Sequence, residues 1–172
     1  LLSVGMFGIT LGQVLLYENC STGTSIPTGW TVDAQSQNWD KSATTNAGGT
    51  APELEFAWTP QFNGMSRLIS PVVDLTGYTK VLLTFRHYVD DYASLGGYSI
   101  GVGTRSGTTG TWNVVWNHPV TGNMGPEIRT VLIDNANVGT SDFQFCIFFN
   151  GNSYNVDYWY LDDIQLLGIN PL

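Results

Sequence analysis

The sequence predicts an all-β fold, namely an antiparallel β-sandwich of jelly-roll type that follows an apolar N-terminal arm. Aromatic residues make up 13% of the chain and glycine occurs 20 times, which is typical of short strands joined by tight turns. Apolar and polar residues alternate in roughly nine or ten short segments, and no helical periodicity lasts longer than one turn. A length of 172 residues suits one domain with a single core.

The elements follow from these alternating segments and from the turn residues between them. We expect strands at residues 14–18, 27–33, 53–58, 67–73, 80–89, 97–104, 112–117, 127–133, 142–150 and 154–167. Pro71 indicates an edge or a bend because proline cannot donate a backbone hydrogen bond. Residues 97–104 alternate glycine with apolar residues, so another group should approach that strand closely. Residues 106–110 have the composition of a hairpin turn.

The last strand carries two adjacent carboxylates in an otherwise core-like segment. Strict alternation would direct two sets of side chains to opposite faces: Tyr158, Tyr160, Asp162, Ile164 and Leu166 on one, and Trp159, Leu161, Asp163 and Gln165 on the other. An inward carboxylate needs a cation or hydrogen-bond donors. Two hypotheses stay open: a bound metal, or an edge position at which both carboxylates are hydrated.

The charge balance excludes some partners. Six basic and 14 acidic residues give a formal charge of −8, which argues against binding to nucleic acid or to an anionic membrane. Charged residues make up only 12% of the chain, and Thr, Asn and Gly are abundant. This composition is typical of secreted or cell-surface proteins, so we expect an extracellular location.

The sequence does not predict an enzyme. His87 and His118 have no metalloprotease-type context, and no nucleophile motif is present. We expect His87 to be structural, since it ends an apolar strand. Pairs such as Asp90 and Asp91 are only neighbours in sequence, whereas glycoside hydrolysis needs two carboxylates across the scissile bond.

Cys20 and Cys146 are the two cysteines, and they match no metal-binding spacing. In an exported chain they would form one disulfide between the first and penultimate strands. The alternative is two buried thiols that behave as small apolar side chains.

Six aromatic residues are candidates for a sugar-stacking platform: Trp39, Trp58, Tyr92, Tyr98, Trp112 and Trp116. The alternative is that they pack in the core and between strands.

Residues 1–13 are uncharged and apolar, and we divide the chain into this segment and a jelly-roll domain at residues 14–172. The segment is either a signal-peptide remnant or an arm that lies in a groove of its own or a neighbouring subunit. Its apolar side chains are Leu1, Leu2, Val4, Met6, Phe7, Ile9 and Leu11. It is short for a bilayer crossing, so no membrane span is expected.

A calcium ion is the metal that suits the terminal strands, because calcium binds carboxylate and carbonyl oxygens. Glu18 ends the first strand and Asp162 lies on the last, and a sandwich commonly pairs such strands. The loop at residues 46–50 could add oxygen ligands.

Several blocks of the sequence resemble MAM-like jelly-roll domains of bacterial secreted proteins, a group that includes cleaved-adhesin and choice-of-anchor modules. The blocks are Tyr17-Glu18-Asn19, Pro27-Thr28-Gly29-Trp30, residues 47–54, residues 66–71 and residues 158–164. The resemblance covers about residues 14–167. It implies a structural calcium ion held by Glu18 and Asp162, and a role in adhesion, carbohydrate binding or surface structure.

Two functions from different classes follow as hypotheses. The first is a non-catalytic structural or adhesive surface subunit that associates with itself, as a homo-oligomer or a filament, through the apolar arm. The second is a module that binds a glycan or a host surface.

Overall fold

The computed structural model describes residues 12–169, in which two antiparallel sheets pack face to face as a β-sandwich. Eleven strands lie in these residues: β1 (Gln13–Glu18), β2 (Thr31–Val32), β3 (Trp39–Ser42), β4 (Glu53–Ala57), β5 (Asn63–Ile69), β6 (Lys80–Asp91), β7 (Tyr98–Ser106), β8 (Asn113–Val120), β9 (Met124–Ile133), β10 (Phe143–Asn152) and β11 (Val156–Ile169). The predicted all-β sandwich is confirmed.

The six-stranded sheet has the order β3-β4-β11-β6-β9, and β1 pairs with β11 beside β4. The five-stranded sheet has the order β2-β5-β10-β7-β8. Strand β11 is therefore central: β6 lies along one edge, and β1 and β4 share the other. The first and last strands pair as expected, with Glu18 opposite Ile164.

Aromatic side chains fill the space between the sheets. On β10 the inward side chains are Phe143, Phe145, Ile147 and Phe149, all fully buried. Phe149 stacks on Phe56 of the opposite sheet with ring centroids 4.7 Å apart. Aromatic pairs of this kind add to the stabilisation from apolar burial.

The strict alternation expected for β11 is wrong, because a β-bulge interrupts the strand at the two aspartates. Asp162 lies opposite Arg86 and Gln165 lies opposite Thr84, so three steps on β11 match two on β6. Trp159 and Leu161 pack in the core before the bulge, whereas Ile164 and Leu166 do so after it. Asp163 takes a positive φ of 48° at this point.

Other expectations differ at strand boundaries. β3 was not expected from the sequence, and the strand expected at residues 67–73 ends at Ile69. Pro71 lies beyond that end, in agreement with its inability to continue a ladder. The glycines of β7 have the predicted role: a Cβ on Gly101 would lie 2.7 Å from Cε1 of Phe148.

The cysteines follow the second of the two alternatives rather than the disulfide. Cys20 and Cys146 are both free and fully buried. Cys20 packs in the core between the sheets, while Cys146 belongs to a separate cluster with Ile69 and Phe148. Burial raises the pKa of each thiol to about 12, so both are inert apolar groups.

No helix within residues 12–169 is long and apolar enough to cross a membrane. The assembly residues proposed from the sequence, Leu1, Leu2, Val4, Met6, Phe7, Ile9 and Leu11, lie outside the described residues.

Candidate functional site

Three aromatic side chains meet at one end of the sandwich. Trp58 directly follows β4, Tyr92 directly follows β6, and Tyr154 lies in the short turn between β10 and β11. Each strand ends at the same side of the molecule, so the three connections lie next to one another. We call Trp58, Tyr92, Tyr154 and the neighbouring Asp157 the end site.

Hydrogen bonds from the turn before β11 hold the neighbouring segments in place. The buried Ser153 hydroxyl donates to the Trp58 carbonyl at 2.8 Å and accepts from the Phe62 amide at 2.9 Å. The Tyr92 amide donates to the Asn155 carbonyl at 3.1 Å, and the Asn155 side-chain amide donates to the Gly96 carbonyl at 2.6 Å. The turn before β11 thereby holds the segments that follow β4 and β6, so the three rings are positioned before any ligand arrives.

The three rings form a continuous aromatic surface. The Tyr154 ring packs edge-on against Trp58 at 5.9 Å and against Tyr92 at 5.3 Å. Tyr92 and Tyr154 are 39% and 42% exposed, although large aromatic rings are usually buried by packing. Together with Asp157, the rings line a cavity of about 240 Å³.

The electrostatic environment of the end site is negative. The pKa of Asp157 is raised, first by burial and then by the nearby carboxylates of Asp90 and Asp91. The lining residues carry no basic group. Such a surface can stack on the apolar face of a neutral ring and accept hydrogen bonds from hydroxyl groups, whereas it repels anions.

The six aromatic candidates separate into three groups. Trp58 and Tyr92 belong to the end site, whereas Trp39 and Tyr98 are buried in the core. Trp112 and Trp116 lie on or beside β8, outside the end-site lining. Sequence reasoning missed Tyr154, and its position in a turn between two apolar strands was the available signal.

Asp162 is the predicted metal ligand on β11, and it is completely buried without an ion pair among the described residues. Its Oδ2 accepts a hydrogen bond from the Thr50 amide at 3.0 Å, and its Oδ1 accepts from the Asp163 amide at 2.8 Å. Burial raises its pKa. The carboxylate lies directly over Gly49, where an added Cβ would be 2.7 Å from its Cγ.

Two further carboxylates lie near Asp162. Glu18, the second predicted ligand, accepts a hydrogen bond from the Cys20 amide at 2.7 Å, and both Glu18 and Asp162 contribute to the raised pKa of Cys20. Glu53 is buried and accepts hydrogen bonds from the Asn46 and Ala47 amides. Within residues 12–169, no three His, Cys, Asp or Glu side chains converge as a ready metal cage.

The donor set nevertheless fits a calcium ion. A buried carboxylate without an ion pair among the described residues, a second carboxylate nearby and the carbonyl oxygens of a glycine-rich loop are ligand types that calcium accepts. Asp163, the second carboxylate of the pair, points away from the core. This residue is half-buried on the sheet surface, where it accepts hydrogen bonds from the Tyr17 hydroxyl at 2.7 Å and from Arg86 Nε at 2.8 Å.

His87 has the structural role expected from the sequence. It is fully buried among the rings of Phe85, Trp116 and Trp159. Its Nδ1 accepts from the Trp159 indole at 3.4 Å, and burial lowers its pKa to about 4. A neutral imidazole without access to solvent cannot exchange protons with a bound ligand.

Comparison with known proteins identifies the architecture. No protein-family model matches the chain, and no curated protein matches it either. Among solved structures, the K1 cleaved adhesin domain of Lys-gingipain from Porphyromonas gingivalis superimposes with a TM-score of 0.67 at 16% identity, covering 92% of this chain and 100% of that one.

Two carbohydrate-binding modules are also similar. One, solved in complex with β-1,4-galactotriose, has a TM-score of 0.61 at 19% identity and covers 88% of this chain and 94% of its own. The CBM22-1 xylan-binding domain of Paenibacillus barcinonensis Xyn10C has a TM-score of 0.57 at 14% identity, covering 96% and 100%. The chain therefore has the cleaved-adhesin-like jelly-roll fold that its sequence blocks resemble.

Proposed function

We propose that this protein is a non-catalytic extracellular module that binds a neutral glycan at the end site. The observation that carries the proposal is the aromatic surface formed by the half-buried Trp58 and the exposed Tyr92 and Tyr154, which is held by the turn before β11 and lies beside Asp157. Sugar rings present an apolar face to aromatic side chains and hydroxyl groups to carboxylates. The fold agrees with this role, because structures of similar architecture include a complex with galactotriose and a xylan-binding domain.

The test is a glycan array followed by calorimetric titration with the best neutral oligosaccharide. Trp58→Ala and Tyr154→Ala should each weaken binding about tenfold, because each removes one stacking surface. Tyr17→Ala is the matched control: Tyr17 is another exposed tyrosine, 54% accessible, on the six-stranded sheet. The proposal fails if no glycan binds, or if the Trp58/Tyr154 double variant binds as tightly as the wild type.

We further propose that a structural calcium ion joins the first and last strands, with Glu18 and Asp162 as carboxylate ligands and oxygens of the 46–50 loop completing the shell. Calcium would supply the positive charge that the buried Asp162 lacks. Chelation should lower the melting temperature, and Asp162→Asn should remove that sensitivity. Asp142→Asn is the control, since Asp142 is exposed and bonded to Ser106 instead. An unchanged melt on chelation would contradict this proposal.

Self-association through residues 1–13 remains a second hypothesis. It is favoured by the position of β1, which begins at the last residue of this segment and pairs with β11. Val14, the second residue of β1, is 51% exposed, so a neighbouring chain could reach this strand. Light scattering of the full chain and of a chain starting at Val14 would test it, and equal masses would exclude it.

A further inference from the structure

The outer face of the five-stranded sheet carries a second group of side chains, far from the end site. Opposite partners on this face include Arg67 with Phe148, Ile69 with Cys146, and Arg105 with Gln144. Trp112, from the loop before β8, packs against this group. We call Trp112, Arg67, Arg105 and Gln144 the outer-face site. Tyr98 begins β7 at the end of the sandwich that carries the end site, whereas Arg105 lies near the other end of this strand. At the usual rise per residue the two are about 23 Å apart.

The glycines of β7 leave room for aromatic side chains to pack closely against the sheet. Gly103 is opposite Cys146, and its added Cβ would lie 3.1 Å from the Cys146 sulfur and 3.6 Å from the Trp112 ring. Gly101 makes the same room for Phe148. The Trp112 ring therefore packs against β7 on one side, and the guanidinium group of Arg105 packs on the ring from the other side.

Arg105 differs from the other arginines in its partners. Arg67, Arg86 and Arg129 each form an ion pair with a carboxylate. Within residues 12–169, no such pair includes Arg105. Its guanidinium instead lies 4.4 Å above the Trp112 ring and donates from Nε and Nη2 to a single neutral oxygen, Oε1 of Gln144.

The environment of Arg105 holds its guanidinium in one orientation. Gln144 is only 6% exposed, and its amide is anchored by donation to the Ser70 carbonyl at 2.8 Å. Nη1 has no acceptor among the described residues and is not among their buried unpaired atoms. Arg67 also approaches the Trp112 ring, at 5.9 Å, but Asp33 neutralises it at 2.7 Å. The outer-face site thus offers one unpaired, oriented cation in a chain of net charge −8.

We propose that the outer-face site binds a uronic acid unit of a glycan, with its carboxylate accepted at Nη1 of Arg105 and its ring beside Trp112. A fixed guanidinium is a strong donor to a carboxylate, and the apolar surface of Trp112 that the guanidinium leaves uncovered suits the apolar face of a sugar. A single unpaired cation matches a single carboxylate. A dense polyanion would need several cations and would be repelled by the acidic chain.

The experiment is an NMR titration of the full chain with methyl β-glucuronide and with methyl β-glucoside, which differ only in the carboxylate at C6. The glucuronide should shift the Arg105 Nε and Trp112 indole signals, whereas the glucoside should leave them unchanged. Arg105→Gln should weaken glucuronide binding about tenfold or more, because a charge-assisted hydrogen bond is lost. Arg86→Gln, an equal charge change on the other sheet, is the matched control.

Two further variants separate the outer-face site from a simple charge effect and from the end site. Arg105→Lys retains the charge and should retain the melting temperature, so a loss of binding in this variant is attributable to the guanidinium geometry. Trp58→Ala should leave glucuronide binding intact, which separates this site from the end site. Equal affinity for the glucoside, equal affinity for acetate, or unchanged binding in Arg105→Gln would each overturn the proposal.

Discussion

The contact between Gly49 and Asp162 yields a quantitative prediction, because it joins the 46–50 loop to the central strand β11. Substituting Gly49 by Ala would place a Cβ 2.7 Å from Cγ and 3.1 Å from Cβ of Asp162, and closer still to Oδ2. Asp162 is fully buried and cannot swing aside into solvent. Either the loop or the carboxylate must therefore move.

The cost follows from what that movement breaks. The hydrogen bond from the Thr50 amide to Asp162 Oδ2 has a charged acceptor, and its loss costs about 1.5–3 kcal/mol. Overpacking at a tight site adds about 1–3 kcal/mol. We expect a total of about 2.5–6 kcal/mol, which lowers the melting temperature of a chain of this size by about 5–24 °C.

Gly122→Ala provides a matched control for the same substitution. The nearest atom to an added Cβ at Gly122 is the Ser94 hydroxyl oxygen at 3.8 Å, and neither Gly122 nor Gly49 has a positive φ. The free energy of unfolding of this variant should lie within about 1 kcal/mol of the wild-type value, or slightly above it. The measurement is thermal unfolding by circular dichroism. If Gly49→Ala melts like Gly122→Ala, the loop is not packed on Asp162 as described.

Three further predictions concern other parts of the fold. His87 has a folded-state pKa of about 4, below its unfolded value of 6.5, so the stability from its neutral form is complete above pH 6.5 and is lost as the pH falls towards 4. Denaturant titrations at pH 7 and pH 4.5 should show that the free energy of unfolding falls less for His87→Gln than for the wild type. Equal decreases would contradict this prediction. Cys20 and Cys146 should resist a thiol reagent in the native state, and both should react in denaturant without a reductant. Mass spectrometry of the unreacted protein checks this, because a mass two hydrogens lower than that of the free-thiol chain would reveal a disulfide. Gly101→Ala should destabilise by about 1–3 kcal/mol, because its Cβ overlaps the Phe148 ring, and an unchanged denaturation midpoint would refute this close approach.

The candidate sites could be predicted only in part, for reasons that particular residues illustrate. Glu18 and Asp162 were candidates from the sequence because one carboxylate ends the first strand and the other lies within the core-like last strand, where a carboxylate needs a partner. Tyr154 was missed because a tyrosine in a turn carries no sign of which other turns will lie beside it. Arg105 was missed because its distinction is that no carboxylate within residues 12–169 pairs with it, which depends on side chains from three strands.

The fold class and most strands follow from the order of the residues, since alternation and turn residues act over a few neighbouring positions. The acidic net charge also follows directly from the composition. The direction of the side chains around Asp162 depends instead on the folded sandwich, because a single bulge residue reverses the alternation that follows it. The folded sandwich likewise decides the state of the cysteines and the grouping of the aromatic rings, which depend on how distant strands pair. Pairing between strands far apart in the chain is set by the whole sandwich, and no local pattern encodes it.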